Sequence, residues 1–87
     1  MESNDIKAIH GILDAEEIDV SVTAFTPTRM VRGLRTAGAG IINVDFNGGN
    51  TDIDIPMGAN DQIAIPGLAK INTVAAGTTA TGIVALY

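Results

Sequence analysis

The chain has no cysteine and no tryptophan. Without cysteine there is no disulfide framework and no thiolate zinc site, and the residues carry no mark of an oxidising or a reducing compartment. Aromatic rings number three, Phe25, Phe46 and Tyr87, so the core is expected to be aliphatic. No apolar run approaches the roughly 20 residues that a helix needs to span a bilayer. Met1-Glu2-Ser3-Asn4-Asp5 is acidic with no apolar stretch behind it, so it is not read as a secretory signal. Positive charge is scarce: five Lys and Arg stand against ten Asp and Glu, a net charge of −5. That balance argues against a nucleic-acid partner, and no membrane partner is expected.

Eighty-seven residues make one small domain. Such a chain buries only about 60–65% of its unfolded surface, which leaves its stability marginal. Disulfides, metals or association are the usual remedies, and association is the one left open here. Residues 1–19 hold six acids against one base, whereas residues 20–87 hold four of each. The whole negative excess therefore sits in the N-terminal segment, which suggests that this segment faces a different surface from the body.

Two readings fit residues 4–17. Asn4 or Asp5 caps a short helix with Ile6, Ile9 and Leu13 on one face, although Gly11 costs it about 1 kcal/mol relative to alanine. The other reading is an extended arm whose Ile6, Ile9 and Ile12 slot into a neighbour. Either way, residues 1–17 are expected to order on assembly, and residues 18–87 to form the single β domain.

From Ile18 the apolar period changes to two. Ile18, Val20 and Val22 alternate with Asp19, Ser21 and Thr23, the pattern of a half-buried strand. Pro27 ends that stretch. Further strands are expected at Arg29–Arg35, at Ile41–Phe46 with Ile42, Val44 and Phe46 inward, and at Thr51–Ile55 with Ile53 and Ile55 inward. After a loop expected at Pro56–Asn60, Gln62–Ile65, Leu68–Val74 and Gly82–Tyr87 follow. Asn47-Gly48 suits the positive φ angles of a type I′ hairpin turn, and Pro66-Gly67 suits a type II turn. About seven short strands with regular turn signals make an all-β fold, a small antiparallel sandwich or barrel of jelly-roll-like form. The last strand, residues 82–87, has Ile83-Val84-Ala85-Leu86-Tyr87 apolar on both faces and is expected to be a central or a covered strand.

Few residues invite chemistry. His10 is the single histidine, and no partner stands at a metal or nucleophile spacing from it. Asp45, Asn47, Asn50, Asp52 and Asp54 gather on one hairpin, but their spacing is not that of a calcium loop, and they are explained as turn formers and outward-facing, solubilising residues. Gly38-Ala39-Gly40 lacks the third glycine of a dinucleotide fingerprint, since position 43 is Asn43. No enzyme, cofactor or metal site is expected. Arg29, Arg32 and Arg35 recur every third residue. As a strand, Arg29 and Arg35 share one face and Arg32 takes the other. They fit an interface that meets the acidic segment of residues 14–19 in a neighbouring subunit, and they fit equally a solvated edge strand guarded by charge.

Val74 and Gly77-Thr78-Thr79-Ala80-Thr81-Gly82-Ile83-Val84-Ala85-Leu86-Tyr87 resemble the ending of the head spike base proteins of tailed phages and gene transfer agents. Thr28-Arg29-Met30-Val31, the Gly38-Ala39-Gly40 turn, the strand Ile41–Phe46 and the step Pro66-Gly67 are similar to that family more loosely. The resemblance covers residues 19–87, and the first eighteen residues depart from it. It implies a virion structural protein on the outer capsid surface. Such a protein is a homo-oligomer, a pentameric ring first of all, that binds the major capsid protein and anchors a spike or fibre protein. The assembly contacts expected in this chain are Ile6, Ile9, Ile12, Leu13, Arg29, Arg32 and Arg35. A trimeric capsid cement or decoration protein without a fibre is the alternative. A carbohydrate-binding module stands behind both, because three aromatic rings are few for a sugar platform.

Overall fold

The computed structural model describes residues 12–87. Seven strands lie within them: β1 Ala15–Ile18, β2 Gly33–Thr36, β3 Gly40–Phe46, β4 Ile53–Met57, β5 Asp61–Ala64, β6 Leu68–Ile71 and β7 Ile83–Leu86. A single 3₁₀ turn, Val74–Ala76, precedes the last. The strands form two antiparallel sheets, in the orders β1-β7-β2-β5 and β4-β3-β6. The result is a small all-β sandwich. Leu34, Ile83 and Ala85 from the first sheet meet Ile42, Val44, Leu68 and Ile71 from the second in one core, closed by Val20, Val31 and Tyr87. That core is built almost wholly of aliphatic residues, as the scarcity of rings requires.

The terminal strand is interior. β7 runs between β1 and β2, with Glu17↔Val84↔Arg35 and Glu16↔Ala85↔Leu34 as cross-strand rows. Ile83 and Ala85 face the core, and Leu86 is buried on the opposite face at 3% exposure. A strand paired on both edges, with its outward Val84 half-buried and Leu86 buried, is where an apolar-on-both-sides sequence belongs. The hydrogen bonds continue past β7. The N–H of Leu13 donates to the Tyr87 carbonyl at 2.6 Å, and the N–H of Tyr87 donates to the Asp14 carbonyl at 2.8 Å.

Several local expectations give way. The first strand is Ala15–Ile18, not Ile18 onward, so the boundary drawn between residues 17 and 18 falls inside β1. The alternation Ile18, Val20, Val22 breaks because the Asp19 carboxylate accepts the Ser21 N–H at 2.9 Å. A side chain that takes a nearby backbone donor offers the chain a bend in place of a ladder. Val20 is buried, but Val22 ends 86% exposed. The second strand begins at Gly33, so Arg29 and Arg32 lie in the irregular approach to it. The tip of the β3–β4 hairpin is not type I′. Positive φ falls on Gly49 (106°) and Asp52 (57°), and not on Asn47 or Gly48. The Gly49 N–H closes the turn onto the Phe46 carbonyl. Ile53 has inward parity but stands at the rim and is 38% exposed. Pro56 and Met57, expected in a loop, extend β4. β4 is an edge strand, where a proline need not donate to a ladder. By contrast the Pro66-Gly67 corner forms as expected, with φ of 86° at Gly67.

The segment Thr78–Ala80 explains how the second sheet is completed. β6 pairs with β3 only along Val44–Phe46. Beside residue 41 its place is taken by Thr79 and Ala80, whose N–H groups both donate to the Ile41 carbonyl, at 2.7 and 3.0 Å. Gly40 is required there, since a Cβ would sit 2.6 Å from the Ala80 nitrogen. Gly40 of the Gly38-Ala39-Gly40 turn therefore serves close backbone approach.

Candidate functional site

Two side-chain constellations stand out, one at each sheet. The first surrounds Tyr87, just beyond the end of β7. Its ring is buried at 6% exposure, and its hydroxyl donates to Glu16 Oε1 at 2.5 Å. The Arg29 guanidinium lies over the ring, 3.8 Å from its centre. The same guanidinium donates to Asp14 Oδ2 at 2.6 Å. Arg29 thus straps the approach to β2 across Tyr87 onto the approach to β1. Its hydrogen bond, with the one from the Ala15 N–H, holds the Asp14 carboxyl below the ordinary carboxylate range. Burial pushes the Tyr87 hydroxyl up, and its bond to Glu16 adds to the rise.

The second constellation is polar and lies on the outer face of the β4-β3-β6 sheet. Asn43 is 2% exposed, and its bonds are complete. Its side-chain amide donates to Asp52 Oδ1 and Asp54 Oδ1 at 2.7 and 2.8 Å, and its oxygen accepts from Asn72 Nδ2 at 2.7 Å. Asn72 gives its other proton to Asp45 Oδ1 at 3.0 Å. Asp45 also accepts the Asp52 N–H at 2.9 Å and faces Lys70 at 3.5 Å. Thr78 closes the set. Its hydroxyl accepts the Asn43 N–H and donates to the Asn72 carbonyl. The expected outward, solvating role of Asp52 and Asp54 is therefore incomplete, because both hold a buried amide. A fully satisfied polar cluster of this kind specifies register at little cost, since no buried group is orphaned. Among the described residues no group of three or more His, Cys, Asp or Glu is placed to hold a metal ion.

These bonds make stability depend on acid. The Asp52 N–H and the Asn72 amide lower the pKa of Asp45, the Ser21 N–H lowers that of Asp19, and Arg29 lowers that of Asp14. A carboxyl whose folded pKa lies below its unfolded value stabilises the fold above that unfolded value, about 4. The contribution is lost as pH falls through the folded value. The melting temperature is expected to be level from pH 7 to about 5 and to drop below about pH 4. Replacing Asp45 with Asn should shallow that drop. Calorimetric scans across pH test this, and an Asp45→Asn variant with the full wild-type acid slope would count against it.

The arginines do not act as one strand. Arg29 pairs with Asp14 of its own chain. Arg32 is exposed, with its N–H on the Leu86 carbonyl and its own carbonyl taking the Ile65 N–H. Arg35 alone is in β2, half-buried on the face away from the core. There it helps line an open groove of about 510 Å³ with Glu17, Asp19, Gly82 and Val84. The acidic segment expected to meet arginine in a neighbouring subunit thus meets one within the same chain. Ile12 is half-buried and Leu13 is 86% exposed, while Ile6, Ile9 and His10 lie outside the described residues. Of the three aromatic rings Tyr87 is buried, and Phe25 and Phe46 are half-buried. No family model, curated protein or solved structure matches the chain.

The Asn43 cluster was only half legible in the sequence. Asn43, Asp45, Asp52 and Asp54 alternate on one hairpin, which marks a shared face. Asn72 and Thr78 carry no local signal, because the chain brings them back from 29 and 35 residues away.

Proposed function

We propose that this protein is a structural subunit of a phage-like particle. In this reading it forms an oligomeric base on the outer capsid surface, a pentameric ring by preference, that grips the major capsid protein and anchors a head spike or fibre. The observation that carries the reading is the place of the terminal motif. The residues that most resemble the head spike base proteins, Gly77 to Tyr87, supply both the completion of the second sheet at Ile41 and the interior strand of the first. The resemblance therefore rests on the part of the chain around which the fold is organised. Leu13 and Met30, exposed at 86% and 73%, flank the Asp14–Arg29 bridge and offer apolar surface for an assembly contact, as small domains of marginal stability need.

The test is attachment to particles that lack this protein, with the bound chain located by electron microscopy. Full-length chain is expected on the five-fold vertices, and a variant lacking residues 1–11 is expected to fold but attach poorly. Density at three-fold positions without a fibre would favour a cement protein. Failure of the full-length chain to bind any particle surface would end the capsid reading.

A further inference from the structure

The tip of the β3–β4 hairpin holds a reactive pair that neither the fold nor the proposed function uses. Asn47 and Gly48 are the central residues of its turn, which the Gly49 N–H closes onto the Phe46 carbonyl at 3.1 Å. Both are exposed. The Asn47 N–H is fixed by the Gly67 carbonyl at 2.8 Å, but the Asn47 side-chain amide bonds to nothing among the described residues. The Gly48 N–H likewise has no acceptor among them. A Cβ built at Gly48 would meet no atom within 4 Å, so the space beside that residue is open.

Asparagine is a thermolabile residue, because the next backbone nitrogen can reach its side-chain carbonyl carbon and close a five-membered ring. Glycine in that next position has no Cβ to obstruct the approach and turns freely. At this tip the Gly48 nitrogen forms a bond to Asn47 Cγ, and the bond from Cγ to Nδ2 breaks. Hydroxide takes the proton of the Gly48 nitrogen, and the departing nitrogen takes one from water and leaves as ammonia. Water then opens the cyclic imide. Attack at Cγ leaves an aspartyl residue. Attack at the main-chain carbonyl carbon leaves an isoaspartyl residue, in which the chain runs on through Cγ. Nothing is oxidised or reduced.

Other asparagines are closed to this path. Asn43 is 2% exposed, with its amide held by Asp52 and Asp54. The amide of Asn72 is held by Asn43 and Asp45. Asn50 is the closest comparison, since it is exposed on the same hairpin. Thr51 follows it, and a β-branched side chain is stiff and crowds the attacking nitrogen. We infer that Asn47-Gly48 is a site of spontaneous covalent modification in the folded protein, where the Gly48 nitrogen displaces the Asn47 amide and leaves an aspartyl or isoaspartyl residue. Either product adds one negative charge to a chain that carries −5, on the hairpin that already bears Asp45, Asp52 and Asp54. The isoaspartyl product also adds a carbon to the main chain inside the turn that the Phe46 N–H ties to the Asn50 carbonyl at 2.8 Å.

The test is incubation of the full-length protein at mildly alkaline pH, below its melting temperature, followed by peptide mapping by mass spectrometry. The peptide containing Asn47 is expected to gain one mass unit and to split into two isomers, one of them a substrate for an isoaspartyl methyltransferase. Asn43, Asn50 and Asn72 are expected to convert more than about tenfold more slowly. Gly48→Ala fits the open space, and Gly48 has no positive φ, so this variant should melt within a few degrees of wild type. It should slow conversion at Asn47 by about tenfold or more. Asn47→Asp adds the charge without the extra carbon, and the isoaspartyl form is expected to melt below it. An Asn47 that keeps its mass while a synthetic peptide of residues 44–51 converts would overturn the inference. So would an Asn50 that converts as fast, or a Gly48→Ala variant with the wild-type rate. An isoaspartyl form that melts together with Asn47→Asp would overturn the effect assigned to the added carbon.

Discussion

Removing Ala85, Leu86 and Tyr87 is expected to leave an unfolded or insoluble chain. The three residues are 0%, 3% and 6% exposed. Leu86 and Tyr87 each contribute roughly 1.5–3 kcal/mol by burial alone, against a total stability of about 5–15 kcal/mol for a domain. The loss does not stop at side chains. β7 carries the pairing of both β1 and β2, and the carbonyls of Leu86 and Tyr87 accept the N–H groups of Arg32 and Leu13. Without them β1 has no neighbour in its sheet. Tyr87→Phe is the informative contrast. It keeps the ring under Arg29 and removes only the hydroxyl bond to Glu16, at about 1 kcal/mol and thus a fall of roughly 4–8 °C in melting temperature. A soluble truncate that melts near the wild-type temperature would refute the interior role of β7.

Asn43→Asp is expected to destabilise the protein by about 3 kcal/mol or more at pH 7. The substitution is nearly isosteric, so packing barely changes. The chemistry inverts: the amide that donates to both Asp52 and Asp54 becomes an acceptor among three carboxylates, counting Asp45 beyond Asn72. At 2% exposure, water cannot screen the new charge. Like-charge neighbours and burial both raise the folded pKa of the introduced Asp above its unfolded value. Its penalty is therefore full at neutral pH and shrinks as pH falls toward 4 and the group takes up a proton. Denaturant titrations of wild type and variant at pH 7 and pH 4.5 measure the gap at each. Equal gaps at both pH values, or a variant as stable as wild type at pH 7, would show that the Asn43 amide is not what holds Asp52 and Asp54.

The two variants differ in how far each could be foreseen. That β7 is central or covered follows from its residues, since Ile83, Val84, Ala85, Leu86 and Tyr87 have no polar face to offer water, and its pairing decides for the centre. The same argument reached the aliphatic core, the inward set Ile42 and Val44, the Pro66-Gly67 corner and the all-β class. Each depends on side-chain period or on backbone sterics within a few residues, which a linear chain displays. Asn43 shows the opposite case. Its alternation with Ile42 and Val44 places it on the outer face, where solvent is the natural expectation, and it is buried only because Asn72 and Thr78 return to cover it.

The arginines and the first strand mark the same divide. Arg29, Arg32 and Arg35 share a spacing but not an element, because β2 starts where pairing with β7 and β5 begins, at Gly33. Ala15-Glu16-Glu17-Ile18 has no strand-like alternation of its own, and it is a strand because β7 offers it an edge. Periodicity and the hydrophobic effect, acting within a few residues, are enough to specify the fold class, the aliphatic core and a central or covered place for β7. Long-range pairing sets where β1 begins, that Asp14 meets Arg29 over Tyr87, and that Asn43 is buried. Those outcomes depend on partners 15 to 71 residues apart, and no local pattern encodes a contact across that distance.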